Sequence, residues 1–314
     1  MKRAGLVAAL LAMLLAPHAM AQKVTLALDW FLNPDHAPIL LAIVDGNFAE
    51  RGLEVTFVEP ADPNDPPKLV AAGVMDIAIT YQPNLHMQVD QGLPVMRVGT
   101  LVGQPLNTLL ALGDGPIVSI ADLKGSKIGY SVGGFEEALL GAILEKHGLQ
   151  LADVELVNVN FSLAPALLSG QVDAVIGAYR NFEINILAMQ GRPARAFFVE
   201  DEGVPAYDEL LFITKSARAG EPWVADFMTA LTQATATLKA SPQESWQRVL
   251  AAWPKLDDEL NNRAFADTWA LFADDPRALD SARYAAFADF LLSRGLIGTA
   301  RPVETYALSP KSDD

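Results

Sequence analysis

Ser131 is the residue whose setting most resembles that of a catalytic nucleophile. It lies in Gly129-Tyr130-Ser131-Val132-Gly133, the G-x-S-x-G spacing of a hydrolase, between a predicted strand and a predicted helix. A catalytic triad also needs a later acid and histidine, but the only later histidine is His147, at the end of the next helix. A secreted serine hydrolase is therefore a remote alternative. We expect Ser131 to bind a ligand or to cap the helix.

Other catalytic chemistries lack their residues in this sequence. There is no Cys, which excludes disulfides, thiol catalysis and Cys-ligated metals. Beyond residue 21 the histidines are His36, His86 and His147, and their spacing matches no metal-binding motif. A phosphate-binding G-x-x-x-x-G-K loop is also missing. We expect no metal and no cofactor.

Ligand-binding residues are expected where strands of an α/β sheet end, because ligands bind beyond the carboxyl ends of the strands. The aromatic residues there could stack on a flat ring, and the carboxylates could accept hydrogen bonds from an exocyclic amine. Backbone N–H groups of the glycines could approach a ligand closely. The candidates are Asp29, Trp30, Asn33, His36, Tyr81, Ser131, Gly133, Gly134, Tyr179 and Glu183. The alternatives are that each aromatic caps a strand end and that Glu136 and Glu137 complement a helix dipole.

The elements that position these residues form a repeated pattern. Apolar strands at 24–28 and 54–58 flank a predicted helix at 37–51, which indicates an α/β fold with parallel strands. Residues 73–79, followed by Tyr81, resemble residues 170–176, followed by Tyr179, at an offset of 97. We interpret the two copies as two similar α/β lobes.

A helical tail follows the repeats. Amphipathic patterns predict helices at 222–239, 242–253, 257–271 and 277–294, which we expect to pack on lobe 1. Lobe 1 would then comprise residues 22–112 and 215–314, and lobe 2 residues 113–214. Two chain crossings between lobes predict a hinge with a cleft beside it.

Composition and the first residues bear on compartment and partners. The chain has 314 residues, 51% of them hydrophobic, and a formal net charge of −15, which would repel nucleic acid. Lys2 and Arg3 precede an apolar run at 4–16, and a cleavage-site pattern of small residues at alternate positions ends at Ala21. This pattern predicts a cleavable signal peptide at 1–21, and therefore a periplasmic protein. The apolar run is too short to span a membrane.

One segment carries a family resemblance. Leu28-Asp29-Trp30-Phe31-Leu32-Asn33-Pro34-Asp35-His36-Ala37, followed later by Glu50-Arg51-Gly52-Leu53, resembles the opening of the thiamin pyrimidine-precursor family. That family groups periplasmic proteins of ABC importers, which bind formylaminopyrimidine or hydroxymethylpyrimidine, with a fungal pyrimidine synthase. The resemblance runs from residue 23 to about 214. Two departures stand out: Leu32 where a Pro is usual, and Arg180 as an additional residue beside Tyr179.

The resemblance implies a type II periplasmic-binding-protein fold that closes on a pyrimidine. It implies Trp30 with Tyr81 or Tyr179 as stacking residues and Glu183 as acceptor for the amino group. We therefore expect the substrate-binding component of an ABC importer, not an enzyme, which acts as a monomer with an inner-membrane permease and a separate ATPase. Alternative ligands are riboflavin and a sulfonate or nitrate. The fungal enzymes consume the motif histidine, here His36, but hold iron with cysteines that this chain lacks.

Overall fold

Two five-stranded sheets organise residues 21–310, the part of the chain that the computed structural model describes. The predicted signal peptide lies outside these residues except for Ala21. The first sheet has the order β2-β1-β3-β10-β4 and the second has the order β7-β6-β8-β5-β9. The strands are β1 Gln22–Ala27, β2 Leu53–Val58, β3 Ile77–Thr80, β4 Val95–Val102, β5 Asn107–Leu112, β6 Lys127–Tyr130, β7 Glu155–Asn158, β8 Ala174–Tyr179, β9 Ala194–Phe198 and β10 Leu210–Lys215.

The two sheets are built alike. In each sheet three neighbouring strands are parallel, and the strand beside them in the sheet runs antiparallel to them. This antiparallel strand is β10 in the first sheet and β5 in the second. Gly73 and Gly170 end equivalent helices in the left-handed backbone region, with φ of 76° and 73°. The sequence repeat is therefore confirmed as a structural repeat. We call the first sheet with its helices lobe 1 and the second lobe 2.

The chain crosses between the lobes at 103–106 and 199–209, because β5 belongs to the second sheet and β10 to the first. This corrects the boundaries predicted after residues 112 and 214. The strands β4 and β5 are both almost continuously buried. Their apolar sequences therefore carry no alternation that would have shown where one sheet ends and the other begins.

Helices cover both sheets, and the C-terminal ones pack mainly on lobe 1 as predicted. For example, α8 packs on α1 and α2, where the rings of Phe48 and Phe227 stack with centroids 4.9 Å apart. None of the helices within residues 21–310 is long and apolar enough to cross a membrane. The helices are α1 Ala37–Val44, α2 Asn47–Glu50, α3 Pro66–Ala72, α4 Gln82–Asp90, α5 Phe135–Lys146, α6 Leu163–Ser169, α7 Glu183–Met189, α8 Pro222–Ala240, α9 Pro242–Ala252, α10 Glu259–Thr268 and α11 Ser281–Ser293.

Candidate ligand-binding site

A cleft lies between the lobes, at the carboxyl ends of β1, β3 and β8. Six of the ten predicted site residues line it. The lining residues are Asp29, Trp30, Asn33, Asp35, Tyr81, Phe135, Glu136, Leu163, Gly177, Tyr179, Phe182 and Glu183.

The carboxylate of Asp29, shortly after the end of β1, forms part of one wall of the cleft. Its Oδ2 accepts a hydrogen bond from the Tyr81 hydroxyl at 3.2 Å, and its Oδ1 lies 3.0 Å from Nε2 of His36. The Asn33 amide donates to Nδ1 of His36, so the imidazole proton is on Nε2 and donates to Asp29. His36 is fully buried behind Asp29, so it orients the carboxylate and does not line the cleft.

Aromatic rings from both lobes meet around the cleft. Tyr81 of lobe 1 stacks on Phe135 of lobe 2, with centroids 5.0 Å apart and planes at 19°. Trp30 packs edge to face on Phe161, with centroids 4.6 Å apart. Tyr179 lines the opposite side, and its hydroxyl lies 3.4 Å from Glu209 Oε1. The cleft thus has the aromatic surfaces that a flat ring needs, and the predicted stacking roles stay predictions.

Two carboxyl groups of lobe 2 line the cleft from the first turns of α5 and α7. Oε2 of Glu136 accepts a hydrogen bond from the Ser131 amide, and Oε2 of Glu183 accepts one from the Tyr179 amide, each at 2.7 Å. Burial is the main cause that raises their pKa, to about 8 for Glu136 and about 7 for Glu183.

Gly177 makes room for the Glu136 carboxyl. It interrupts β8 with a φ of 90°, and a Cβ at this position would lie 2.2 Å from Oε1 of Glu136. A side chain there would be strained and would displace the carboxyl group. Close packing against a glycine therefore fixes the position of Glu136 in the cleft wall.

A further carboxyl, that of Glu209, connects the cleft with the hinge. Oε2 of Glu209, in the second crossing, accepts hydrogen bonds from the amide of Leu106 in the first crossing at 2.6 Å and from that of Asn107 at the start of β5 at 2.9 Å. Burial raises the pKa of Glu209 to about 7. The same carboxyl lies near the Tyr179 hydroxyl, so it joins both crossings to a residue that lines the cleft.

The charge of the cleft is one-sided. None of the lining residues within the described chain is basic. Arg180 points away: its guanidinium donates to both oxygens of Glu200 at 2.8 Å and lies over the ring of Phe198. Burial also raises the pKa of Asp35 to about 6. Such a cleft favours ligands that donate hydrogen bonds or carry positive charge over anions.

Hydrogen bonds join the lobes on both sides of the cleft. On one side Asn64 of lobe 1 accepts from the Gly133 amide at 2.9 Å and donates to the Ser131 carbonyl at 3.3 Å. On the other side the Asn181 side chain of lobe 2 donates to Asp35 at 2.6 Å. These contacts describe a molecule whose lobes are closed over the cleft.

Ser131, Gly133 and Gly134 lie outside the residues that line the cleft. The Ser131 hydroxyl donates to the Asn160 carbonyl, and the Gly134 amide donates to Glu137 at 3.0 Å. These polar groups are thus satisfied within the protein. His147 ends α5, whose length of roughly 18 Å separates it from Ser131. The structure therefore brings together no Ser-His pair for hydrolysis around Ser131.

Some lining residues were not among the predicted ones, notably Asp35, Phe135, Glu136 and Gly177. Glu136 had a simpler explanation as a residue that complements the dipole of α5. The sequence did contain an indication at Gly177, because an isolated glycine inside an apolar strand indicates a bulge or a place where another group closely approaches the backbone. Glu209 gave no signal, since its partners come from a distant part of the chain.

Comparison with known proteins decides the family. The family model described as NMT1/THI5 like matches residues 33–245. The chain belongs to this family. It is 48% identical over 297 residues to a protein of Haemophilus influenzae named for thiamine biosynthesis, covering 94% of this chain and 95% of that one. It is 37% identical over 213 residues to the formylaminopyrimidine-binding protein of Halalkalibacterium halodurans, covering 67% and 64%.

The family also includes enzymes, and the fold is shared more widely. Pyrimidine phosphate synthases of Saccharomyces cerevisiae are 28% identical to this chain over 263 residues, covering 80% of it and 77% of the enzyme. The alkanesulfonate-binding protein of Xanthomonas axonopodis pv. citri superposes with a TM-score of 0.72 at 20% identity, covering 92% of this chain and 99% of that one. This likeness confirms the periplasmic-binding-protein fold.

Proposed function

We propose that the protein is the periplasmic substrate-binding component of an ABC importer for a thiamin pyrimidine precursor, formylaminopyrimidine or hydroxymethylpyrimidine. The observation that carries the proposal is the cleft between the lobes, which combines aromatic rings with carboxyl groups and has no basic residue among its described lining. An aminopyrimidine presents a flat ring to the aromatic residues and N–H donors to the carboxyl groups. The formylaminopyrimidine-binding relative supports this choice of ligand.

The shared fold does not make a sulfonate or nitrate the favoured ligand. Anion sites use arginines or backbone N–H groups that have no other partner. Here the amides of Ser131 and Tyr179 already donate to Glu136 and Glu183. An anion in the cleft would face these carboxyl groups without a compensating cation.

We propose a binding role rather than a synthase role. His36 is the position at which the resemblance to the fungal enzymes would place a reacting histidine. It is fully buried, and both of its ring nitrogens already have hydrogen-bond partners, Asn33 and Asp29. Both contacts favour a structural part for His36 in orienting Asp29.

In the proposed mechanism the ligand shifts the lobes from an open to a closed form. Trp30 and Tyr81 contact the ligand from lobe 1, and Tyr179 and Glu183 contact it from lobe 2. A ligand that touches both lobes binds the closed form more tightly, which is the condition for such a shift. The closed form is then recognised by the membrane permease, and a signal peptide at residues 1–21 would export the protein to the periplasm.

Thermal melting of residues 22–314 against a ligand panel tests the proposal. The panel contains hydroxymethylpyrimidine, formylaminopyrimidine, thiamin, riboflavin, taurine and nitrate. A bound ligand at about 100 times its Kd should stabilise the fold by about 2.7 kcal/mol, which raises the melting temperature by a few degrees. We expect this shift with the aminopyrimidines.

Variants connect the shift with the cleft. Glu183→Gln should weaken binding, whereas Glu137→Gln, which removes the same formal charge outside the cleft lining, should leave it nearly unchanged. A shift with riboflavin or taurine alone would replace the proposed ligand. If no panel member shifted the melting temperature and the protein hydrolysed an ester, the receptor proposal would be refuted.

A further inference from the structure

The Glu136 carboxyl occupies an unusual position for an ionisable group. Only 3% of the residue is exposed, and it lines the cleft beside Gly177. Its Oε2 accepts from the Ser131 amide, and its Oε1 is the atom that lies closest to where a Cβ of Gly177 would be. The side chain is therefore held in one place at the wall where a ligand would lie.

The groups that face Glu136 do not compensate a negative charge. Glu183 of α7, Glu209 of the second crossing and Tyr81 of lobe 1 lie close enough to interact electrostatically with it. Only backbone amides, those of Ser131 and Val132, favour its ionised form. Arg180 lowers the pKa of Glu209, but no cation is among the causes that act on Glu136. Buried carboxyl groups that lie near one another oppose each other's ionisation, so Glu136 is the one whose charge is least compensated.

Of the two carboxyl groups that line the cleft from lobe 2, Glu136 is the more buried, with 3% of the residue exposed against 8% for Glu183. The carboxyl groups of Glu183 and Glu209 both raise the pKa of Glu136, whereas Asp35 is the acidic neighbour that raises that of Glu183. Asp35 is itself hydrogen-bonded by Asn181 and Thr268. When the surroundings give two carboxyl groups different pKa values, one can stay protonated and donate a hydrogen bond while the other is ionised and accepts one.

We propose that Glu136 holds a proton at neutral pH and donates its carboxyl O–H to an acceptor atom of the ligand, while Glu183 accepts from the ligand's amino group. This inference rests on the proposed function and deepens it, because it specifies the ligand class. The ligand must present a hydrogen-bond acceptor, such as a ring nitrogen, in addition to an N–H donor. Glu136 is then a specificity-determining residue that selects aminopyrimidines over amines without a ring acceptor.

The pH dependence of binding tests the proposal. The Kd of hydroxymethylpyrimidine would be measured by calorimetry from pH 6.5 to 9.5, with the ring pKa of the free ligand determined by ultraviolet titration. The affinity should be nearly constant from pH 7 to 8 and should fall roughly tenfold per pH unit above the pKa of Glu136, about 8. Glu183 and Glu209, with pKa values of about 7, are largely ionised before this fall begins.

Substitutions assign the fall to one residue. In Glu136→Gln the side chain cannot ionise, so the alkaline fall in affinity should disappear, whatever affinity the variant retains at pH 7. Glu137→Gln, the matched control on the same helix, should keep the fall. 2-Aminobenzyl alcohol, which has the amino and hydroxymethyl groups but no ring nitrogen, should bind at least tenfold more weakly to the wild type.

The outcomes separate this inference from the proposed function. If the wild type binds hydroxymethylpyrimidine at pH 7.5 but its affinity stays constant to pH 9.5, or if Glu136→Gln keeps the alkaline fall, the role of Glu136 is refuted and the receptor stands. If the wild type binds no aminopyrimidine, the proposed function fails. Should Glu136→Gln not fold, the carboxyl ¹³C resonances of glutamate-labelled wild type decide, since absence of a carboxyl that titrates near pH 8 would overturn the inference.

Discussion

Replacing Gly177 by Ala tests whether the Glu136 carboxyl packs where the structure places it. The new Cβ would lie 2.2 Å from Oε1, 2.4 Å from Cδ and 2.6 Å from Oε2 of Glu136, so the whole carboxyl group would have to move. The residue also has a φ of 90°, which costs about 1–2 kcal/mol for a residue with a side chain. Overpacking adds about 1–3 kcal/mol. We therefore expect Gly177→Ala to lower the free energy of unfolding by about 2–5 kcal/mol.

Gly170→Ala is the matched control. Gly170 has a similar φ, 73°, but no atom lies within 4 Å of the position that its Cβ would take, so this substitution introduces the backbone strain alone. Urea unfolding of the ligand-free protein would measure both changes. A double-mutant cycle with Glu136→Ala removes the carboxyl group, and in that background Gly177→Ala should cost little more than Gly170→Ala.

Binding gives a second measurement on the same variants. Because Glu136 must leave the cleft wall, Gly177→Ala should weaken binding of hydroxymethylpyrimidine, and Gly170→Ala should not. Equal stability losses in the two variants, together with unchanged affinity in Gly177→Ala, would refute the packing of Glu136 against Gly177. The inference that Glu136 donates to the ligand would then lose its geometric basis.

Three further predictions concern the ligand, the lobes and the pH. Trp30→Ala should raise the Kd about tenfold or more through lost stacking while the apo melting temperature changes little; a loss of fold would mean that Trp30 is a core residue. Asn64→Ala removes a contact between the lobes and so destabilises the closed form, which should weaken the binding of every ligand by the same factor, about 5–30-fold. Factors that differ between ligands would contradict this. The ligand-free protein should unfold at lower urea concentration at pH 8 than at pH 5, and Glu136→Gln should reduce the difference.

The sign of the pH effect follows from the direction of the pKa shifts. Burial raises the pKa of Glu136, Glu183 and Glu209 above the usual value of 4.5. Between pH 5 and 8 the unfolded chain therefore releases protons that the folded chain still holds, and stability falls as the pH rises. Carboxyl groups with lowered pKa, such as that of Asp76, act below this window. Burial lowers the pKa of His86 to about 4, which opposes the trend below about pH 6.5, but this is one group against the three carboxyl groups.

The sequence predicted the fold well because the fold is periodic and repeated. The offset between Gly73 and Gly170 corresponds to the same helix end in each lobe, and strand ends brought Asp29, Tyr81 and Tyr179 to one cleft. The chain crossings were misplaced because β5 is uniformly apolar, and pairing in either sheet suits such a strand.

Side-chain contacts across distant elements were harder to predict than the strand ends. Glu136 and Glu183 follow predicted strands alike, yet only the close approach of Glu136 to Gly177 shows that Glu136 belongs to the cleft wall. Ser131 and Gly133 follow a strand too, but Asn160 and Asn64 already satisfy their polar groups. Which strand-end residues face a ligand therefore depends on partners far away in sequence.

The use of backbone amides explains how a fold shared with an alkanesulfonate-binding protein can favour a different ligand. Loop amides before a helix form a ready site for an anion when they have no other partner. In this chain the amides of Ser131 and Tyr179 already donate to Glu136 and Glu183, so they are not free to bind an external anion. If the proposed function holds, the two carboxyl groups that these amides hold in the cleft wall would account for a preference for a ligand that donates hydrogen bonds, with no change in topology.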